Sequence, residues 1–231
     1  MAELPASAIS LFQFNTDLND ALGNASMTNS GVTLSNTQSK FGGYSGYFSS
    51  AHLTGTLSST DIRTVAMWIY FSSYTSDTWP TAFCVGPNTD GYRGIYIHTD
   101  TYGSSTVPVY AVGNNANDKW SQLSGATSIP TNQWNHIAFT KDGTSTFRFF
   151  LNGTLQRTIT NSDPVISNRF TIGGLYLTGV SNRFVGYIDE VLVATTAIWT
   201  AGFTPPTDAY VTYDKKRAFH AMQNQIYFGG L

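Results

Sequence analysis

The stretch QWNHIAFTKDGTSTFRFFLNGT (133–154) contains the pattern that decides the fold. Apolar residues occupy both alternating sets of positions over 135–140, which predicts a strand covered on both faces. The Asp-Gly pair at 142–143 and the Asn-Gly pair at 152–153 can supply the positive φ angles that tight hairpins need. Together with residues 154–160, the stretch therefore predicts a three-stranded antiparallel meander.

The composition of the 231-residue chain favours strands over helices. Charged residues make up only 11% and aromatic residues 14%, and Ser, Thr, Asn and Gly are abundant. This mixture suits short strands joined by many turns, whereas the long runs of Ala, Leu, Glu and Lys that favour helices are missing. We expect helix only near 194–200 and 215–222. Further strands are predicted at 9–14, 46–48, 64–71, 81–85, 94–98, 107–112, 169–172 and 184–193.

Charge and the first residues bear on partners and location. The net charge of −2 excludes a general electrostatic attraction to nucleic acid or to an anionic membrane. The opening MAELPASAISLFQF has neither a basic segment nor a long apolar core, and no apolar span of about 20 residues follows. We therefore expect a protein made in the host cytoplasm without a cleaved export signal.

The order of several motifs resembles the laminin-G-like, concanavalin A-like jelly-roll family. These motifs are SKFGGYSGYF (39–48), TVAMWIYF (64–71), the stretch 133–153, FTIGG (170–174), FVGYIDEVLVATTAIWT (184–200) and FTPP (203–206). The resemblance implies an all-β fold, a two-sheet antiparallel jelly-roll sandwich over residues 1–206, followed by a C-terminal tail at 207–231. It leaves function open, because a fold of this kind carries many unrelated activities.

Three residues have side chains of the kinds that act as metal ligands, bases or nucleophiles. His136 has no Cys, Glu or second His at metal or dyad spacing, so a strand histidine hydrogen-bonded within the sandwich is favoured over a ligand or a base. Cys84 stands in an apolar run without an activating neighbour, which favours a small buried hydrophobe. The motif GGYSGY (42–47) lacks the spacing of a nucleophile elbow, so Ser45 is interpreted as a turn residue entering a strand.

Asp189 and Glu190 form the carboxylate pair that glycoside hydrolysis would need. Successive strand residues point to opposite faces, so one site cannot easily use both. Laminarinase-like relatives of the resembled family use a Glu-x-Asp-x-Glu pattern, which this chain cannot supply because its only glutamates are Glu3 and Glu190. We expect Asp189 to accept backbone or Trp N–H bonds, Glu190 to be solvated, and no catalytic residue to be present.

Two loop motifs, NTDG (88–91) and NNANDK (114–119), offer hard oxygen ligands. Laminin-G-like sandwiches often bind calcium at a loop rim, and the candidate ligands here are Asp90, Asn115 and Asp118. The same residue types are ordinary turn formers, so a plain loop is the alternative. No other cofactor is implied.

Residues 72–127 combine aromatic rings with Ser, Thr, Asn and Gly, a composition typical of binding loops. The candidate residues for stacking on a glycan or receptor are Trp79, Tyr92, Tyr102 and Trp120. The alternative is that rings of this segment fill the sandwich, which is equally expected for Tyr96 and Tyr110.

The tail at 207–231 is rich in apolar residues, with basic residues at 215–217 just before a near-helical apolar spacing. The candidate docking residues are Phe219, Met222, Ile226, Tyr227 and Phe228. Left bare, such a segment would be an aggregation hazard, so it either folds back on the sandwich or docks on another subunit. We favour docking and expect both chain ends to be held by neighbouring subunits.

The sequence favours a non-enzymatic virion protein of a tailed bacteriophage, either a capsid decoration or a tail or fibre component. Single laminin-G-like modules that end in FTPP and a short tail resemble those of such particles. The tail and the N-terminal arm would contact virion subunits in a homo-oligomer, and the aromatic loops would face a host-surface glycan. The alternatives are a carbohydrate-active enzyme such as a polysaccharide depolymerase, and a free bacterial lectin.

Overall fold

The computed structural model describes most of the chain. The described residues are 1–73, 80–86, 94–98, 109–113, 120–124, 128–160, 167–176 and 180–212, of which 109–113 and 120–124 are described by their backbone. No helix occurs among them, so the helical turn expected near 194–200 is wrong. The helix expected near 215–222 lies outside the described residues.

The secondary structure consists of short strands. They are β1 (Ala2–Glu3), β2 (Ala8–Phe12), β3 (Ser26–Ser30), β4 (Thr33–Ser35), β5 (Ser45–Phe48), β6 (His52–Thr56), β7 (Thr64–Tyr70), β8 (Thr81–Val85), β9 (Ile95–His98), β10 (Val109–Gly113), β11 (Trp120–Ser124), β12 (Asn135–Asp142), β13 (Thr146–Leu151), β14 (Thr154–Thr160), β15 (Arg169–Ile172), β16 (Leu175–Tyr176), β17 (Val180–Ser181), β18 (Gly186–Ala194) and β19 (Tyr210–Val211).

Two large antiparallel sheets contain most of the strands, and two small sheets, β1-β19 and β16-β17, accompany them. One has seven strands in the order β11-β10-β9-β8-β15-β6-β3. The other has eight: seven in the order β14-β13-β12-β7-β18-β5-β4, with β2 also paired to β18. The predicted all-β, two-sheet antiparallel sandwich is thus confirmed.

The meander predicted from 133–154 is β12-β13-β14. Asn152 and Gly153 have φ angles of 49° and 76°, which a two-residue hairpin turn requires. In the first hairpin only Gly143 has a positive φ angle, because Asp142 is the last residue of β12 and the loop covers 143–145. The prediction of a tight turn at Asp142-Gly143 is therefore wrong, because the loop of this hairpin has three residues.

The two sheets enclose a core rich in phenylalanine. Alternate residues of each strand point inward, as Ile137 and Phe139 of β12 do, and both are fully buried. Large phenylalanine side chains from both sheets meet there, for example Phe83 and Phe170, whose rings stack with centroids 6.4 Å apart. Removing one such ring costs about 3–5 kcal/mol of stability.

One part of the outer face of the eight-stranded sheet is covered by residues 195–206, which we call the covering segment. Thr64 Oγ1 donates to the Thr196 carbonyl (2.7 Å), and Thr140 Oγ1 donates to the Trp199 carbonyl (2.8 Å). Phe203 donates its N–H to the Gly153 carbonyl (3.0 Å). This segment explains why β12 has apolar residues on both faces.

Candidate functional site

Four aromatic side chains lie side by side on the outer face of the eight-stranded sheet. Tyr47, Tyr187 and Tyr70 come from the adjacent strands β5, β18 and β7, and Trp134 directly precedes β12. Neighbouring ring centroids are 5.0, 5.9 and 5.8 Å apart. We call these four rings the aromatic row.

Strand register brings these four residues together. Tyr187 is the pairing partner of both Tyr47 and Tyr70, and Ile69 pairs with Asn135, which places Trp134 opposite Tyr70. Because Ile69 and Ile188 point into the core, their neighbours Tyr70 and Tyr187 point outward.

The aromatic row is partly open to solvent. All four residues are half-buried. Within the described part of the chain, the polar atoms of these rings make no hydrogen bond to protein. The row therefore keeps both apolar ring surface and polar atoms free for contact with another molecule.

A loop at 39–44 borders the row. Lys40 Nζ lies 3.9 Å from the centroid of the Trp68 ring, and Phe41 meets that ring edge-on at 6.1 Å. Trp68 and Tyr70 lie two residues apart on β7, so they share the outer face. The loop therefore forms a wall beside the row.

Asp189 anchors this loop. Its Oδ2 accepts the backbone N–H groups of Lys40 (3.0 Å) and Phe41 (3.1 Å), and its Oδ1 accepts that of Glu190 (2.9 Å). Its side chain is 0% exposed. Burial raises the pKa of Asp189 to about 8, and the Glu190 carboxylate adds to this, although the three N–H groups act in the opposite direction. The expected structural role of Asp189 is confirmed.

Glu190 is buried, so the expectation that it would be solvated is wrong. It is 2% exposed, and its carboxylate accepts bonds from Gln13 Nε2 (3.1 Å) and the Tyr210 N–H (3.0 Å). Glu190 has a φ angle of 50° at a bulge where β18 changes its partner from β5 to β2. The bulge breaks the alternation of faces.

Because of the bulge, Asp189 and Glu190 point to the same face of the sheet, so the prediction that they point to opposite faces is wrong. Tyr210, which Glu190 contacts, packs on Leu11 and Leu192, and this cluster lies outside the main core. Both carboxylates therefore lie on the outer side of the sheet. Backbone and amide donors engage both groups, which leaves neither exposed to a substrate.

His136 is packed among aromatic rings, whereas the sequence predicts a strand histidine that is hydrogen-bonded within the sandwich. Its ring lies edge-on to Trp68 (5.1 Å), Trp199 (5.8 Å) and Phe203 (5.7 Å), and buried Nδ1 has no hydrogen-bond partner. Burial, with a smaller contribution from the charge on Lys40, lowers the pKa of His136 to about 3. It is a neutral packing residue.

Cys84 and Ser45 are structural, as expected. Cys84 is buried with Tyr96 and Leu175, and burial raises the pKa of its thiol to about 12. Ser45 is the first residue of β5, is fully buried, and donates to the Gln38 carbonyl (2.6 Å). Neither residue is available as a nucleophile.

Most of the binding residues predicted from the sequence lie outside the described residues. These are Trp79, Tyr92, Tyr102, Asp90, Asn115, Asp118, Phe219, Met222, Ile226, Tyr227 and Phe228. Trp120 begins β11, where its backbone pairs with Gly113. In the part that is described, no cluster of three or more His, Cys, Asp or Glu side chains could hold a metal ion.

The first residues of the predicted tail lie on the chain's own sandwich. Tyr210 and Val211 pair in parallel with Ala2 and Glu3. The Tyr210 carbonyl accepts from Gln13 Nε2 (2.7 Å). Residues 207–212 of the predicted docking tail therefore pack with the sandwich. Residues 213–231, which include the candidate docking residues, lie outside the described residues.

The family follows from this fold and from a direct match. Residues 41–200 match the model of the concanavalin A-like lectin/glucanases superfamily, and the chain belongs to that superfamily. No curated protein matches the chain. The described residues contain no helix long and apolar enough to cross a membrane.

Solved structures share the fold. The chain is similar to domain 4 of AbnA, a GH43 extracellular arabinanase from Geobacillus stearothermophilus solved with arabinotriose, at 21% identity and a TM-score of 0.66, over 84% of this chain and 94% of that one. It is also similar to the botulinum neurotoxin serotype D binding domain, at 15% identity and a TM-score of 0.62. That match covers 84% of this chain and 49% of the toxin domain, so the chain spans about half its length.

Proposed function

We propose that the chain is a non-enzymatic virion protein of a tailed bacteriophage, a capsid decoration or a tail or fibre component. Its lectin-like sandwich contacts neighbouring virion subunits and a host-surface glycan. The protein is made in the host cytoplasm and incorporated into the particle.

One observation carries the non-enzymatic part of this proposal. Asp189 and Glu190 form the carboxylate pair suited to glycoside chemistry, yet they are 0% and 2% exposed. Each is engaged by backbone N–H groups or by Gln13. A glycosidase needs its acid and its base or nucleophile in contact with substrate, which this arrangement does not offer. The burial of this pair therefore supports a role in contact over a role in bond cleavage.

The glycan part is supported by the superfamily and by exposed aromatic surface. The arabinanase domain solved with arabinotriose shares this fold, and so does botulinum neurotoxin type C, whose cell entry depends on interaction with two ganglioside molecules. Trp79 and Trp120 are the glycan contacts that the sequence predicts. Binding of the wild-type protein to a host-glycan array, abolished in Trp79→Ala or Trp120→Ala, supports adhesion; binding to no host glycan leaves decoration alone.

The virion setting rests on the resemblance of the module and its FTPP motif (203–206) to phage proteins. It is tested by deleting residues 214–231 and measuring incorporation into particles by electron microscopy. We expect the truncated protein to stay folded and to lose assembly. A folded, truncated protein that still assembles normally would refute docking through the tail.

Enzymatic activity is tested directly. The wild-type protein is incubated with host capsule or exopolysaccharide, and reducing sugar ends are measured. We expect none above the background of heat-inactivated protein. Release of sugar ends that disappears in Asp189→Asn would instead identify a depolymerase.

A further inference from the structure

We propose that the aromatic row is a binding surface for a neutral, linear glycan that lies across the strands with its sugar rings against Tyr47, Tyr187, Tyr70 and Trp134. The inference rests on the glycan contact of the proposed function and gives it a second location, on the sheet and away from the predicted loops.

The first argument is spacing. The rings belong to adjacent strands, which lie about 4.8 Å apart in a sheet. Their centroids accordingly follow one another at 5.0, 5.9 and 5.8 Å. This spacing is comparable with the length of one sugar unit in an extended chain. The ring planes are inclined to one another by 37°, 77° and 60°, so a glycan running perpendicular to the strands would place successive sugars against the faces of some rings and the edges of others.

The second argument is the chemistry of the rings. Each has an apolar surface for the C–H face of a sugar and a polar atom for its hydroxyl groups. The polar atoms of the row make no hydrogen bond within the described part of the chain. Thr33 pairs with Tyr47 in the sheet and is exposed, so it extends the row with a further hydroxyl group.

The third argument is charge. Lys40 and Asp189 are charged residues of the loop and the strand that border the row. Lys40 Nζ lies over the Trp68 ring (3.9 Å), and Asp189 is 0% exposed and bonded to three N–H groups. These two residues thus add no exposed carboxylate and little free positive charge to the surface of the row. This favours a neutral glycan over an acidic polysaccharide or a basic peptide.

A proline-rich peptide is the rival ligand, because aromatic grooves also bind polyproline helices. The carbonyl groups of such a peptide only accept hydrogen bonds, whereas the hydroxyl groups of a sugar both donate and accept, as the hydroxyl groups of the three tyrosines do. The glycan is therefore the better match, and the peptide serves as a competing outcome in the test.

The test measures binding of the full chain to cellohexaose, xylohexaose and mannohexaose, with decaproline as the rival, by isothermal titration calorimetry. We expect at least one sugar to bind, and Tyr70→Ala and Tyr187→Ala each to weaken that binding about tenfold, as truncation of a central aromatic contact does. Binding should also change tryptophan fluorescence in the wild type and change it less in Trp134→Phe.

Tyr176→Ala is the matched control. Tyr176 is also half-buried, but it lies in the small β16-β17 sheet, where Arg169 stacks on it at 4.2 Å. This variant should bind sugar as the wild type does. Tyr70→Phe and Tyr187→Phe keep the rings, so they should lose less affinity than the alanine variants, and they replace those variants if either fails to fold.

Three outcomes overturn the inference: binding to none of the sugars, equal binding by the wild type and the row variants, or binding of decaproline that is lost in the row variants. Equal binding that is lost in Trp79→Ala or Trp120→Ala would place the glycan on the loops and leave the proposed function intact. Loss of particle assembly is measured separately, so failure of the virion proposal and failure of the row are distinguishable.

Discussion

The outer face of the eight-stranded sheet has a covered half and an open half, and both are rich in aromatic rings. In the covered half, Trp199 and Phe203 stack at 4.1 Å and pack on Ala66 and Ala138. In the open half, the aromatic row remains half-buried. Small alanines leave room for covering rings, whereas bulky tyrosines fill the space themselves. Residue type alone therefore does not distinguish a packing ring from a contact ring.

The largest expected effect concerns Asp189, which anchors the loop at 39–44 beside the row. Asp189→Ala leaves three backbone N–H groups without their acceptor, and we expect a loss on the order of 4 kcal/mol in the free energy of unfolding, measured by urea denaturation. Asp61→Ala removes an exposed carboxylate paired with Arg63 and should cost less than about 0.5 kcal/mol. Equal effects of the two substitutions would contradict the anchoring role.

A somewhat smaller effect is expected for the covering segment. Phe203→Ala removes the ring that stacks on Trp199 and lies edge-on to His136 and Phe150, which should lower the free energy of unfolding by about 3 kcal/mol. The control, Tyr44→Ala, truncates a ring that is 43% exposed and should have little effect. A change below about 1 kcal/mol for Phe203 would mean that the segment covers the sheet without stabilising it.

Two buried titratable groups, Asp189 and His136, change the stability in opposite directions as pH falls. Asp189 has a folded pKa of about 8, above its usual 3.8, so the folded state binds more protons in this window and stability rises as pH falls from 8. His136 has a folded pKa of about 3, below its usual 6.5. The unfolded state therefore binds more protons below pH 6.5, and the free energy of unfolding decreases as pH falls further.

Between pH 8 and 6.5 only the first effect operates, and we expect a gain of up to about 2 kcal/mol on acidification. Below pH 6.5 the two effects oppose each other, and the profile should flatten. Urea denaturation at pH 5, 6.5 and 8 measures this. In Asp189→Asn the rise from pH 8 to 6.5 should vanish; a rise that persists would assign the effect to another group.

The smallest stability effect is expected in the open half. Tyr70→Ala removes a ring that contacts Tyr187 and Trp134 but is not under the covering segment, so the loss should be about 1 kcal/mol. Thermal unfolding followed by circular dichroism measures it. A loss as large as that of Phe203→Ala would show that the row is part of the packed structure and would remove the distinction between the halves.

Several elements could be predicted because their signals are local. The β12-β13-β14 meander follows from alternation and from the Asn-Gly turn. The strands β3, β4, β6 and β11 were not predicted. They are short and rich in Ser, Thr and Asn, so they lack the apolar alternation that marks a strand.

The candidate site was less accessible to sequence reasoning. The sequence predicts binding residues in the loops at 72–127, because aromatic residues are clustered along that part of the chain. The residues of the row are far apart in sequence, and only the pairing of β5, β18 and β7 brings them together. The three tyrosines could have been recognised as outward-facing from the alternation of their strands, because each neighbours an inward apolar residue, but the adjacency of the four rings depends on register.

The sequence by itself determined the all-β class, the Asn-Gly hairpin turn, the burial of Cys84 and the structural role of Asp189, because these depend on local φ preferences, alternation and the character of neighbouring residues. The tertiary structure decided that Glu190 is buried, that His136 packs among rings, and that four distant aromatic residues form a row. These features depend on a bulge, a covering segment and strand register. Such features arise from contacts between residues far apart in the chain, which local patterns do not record.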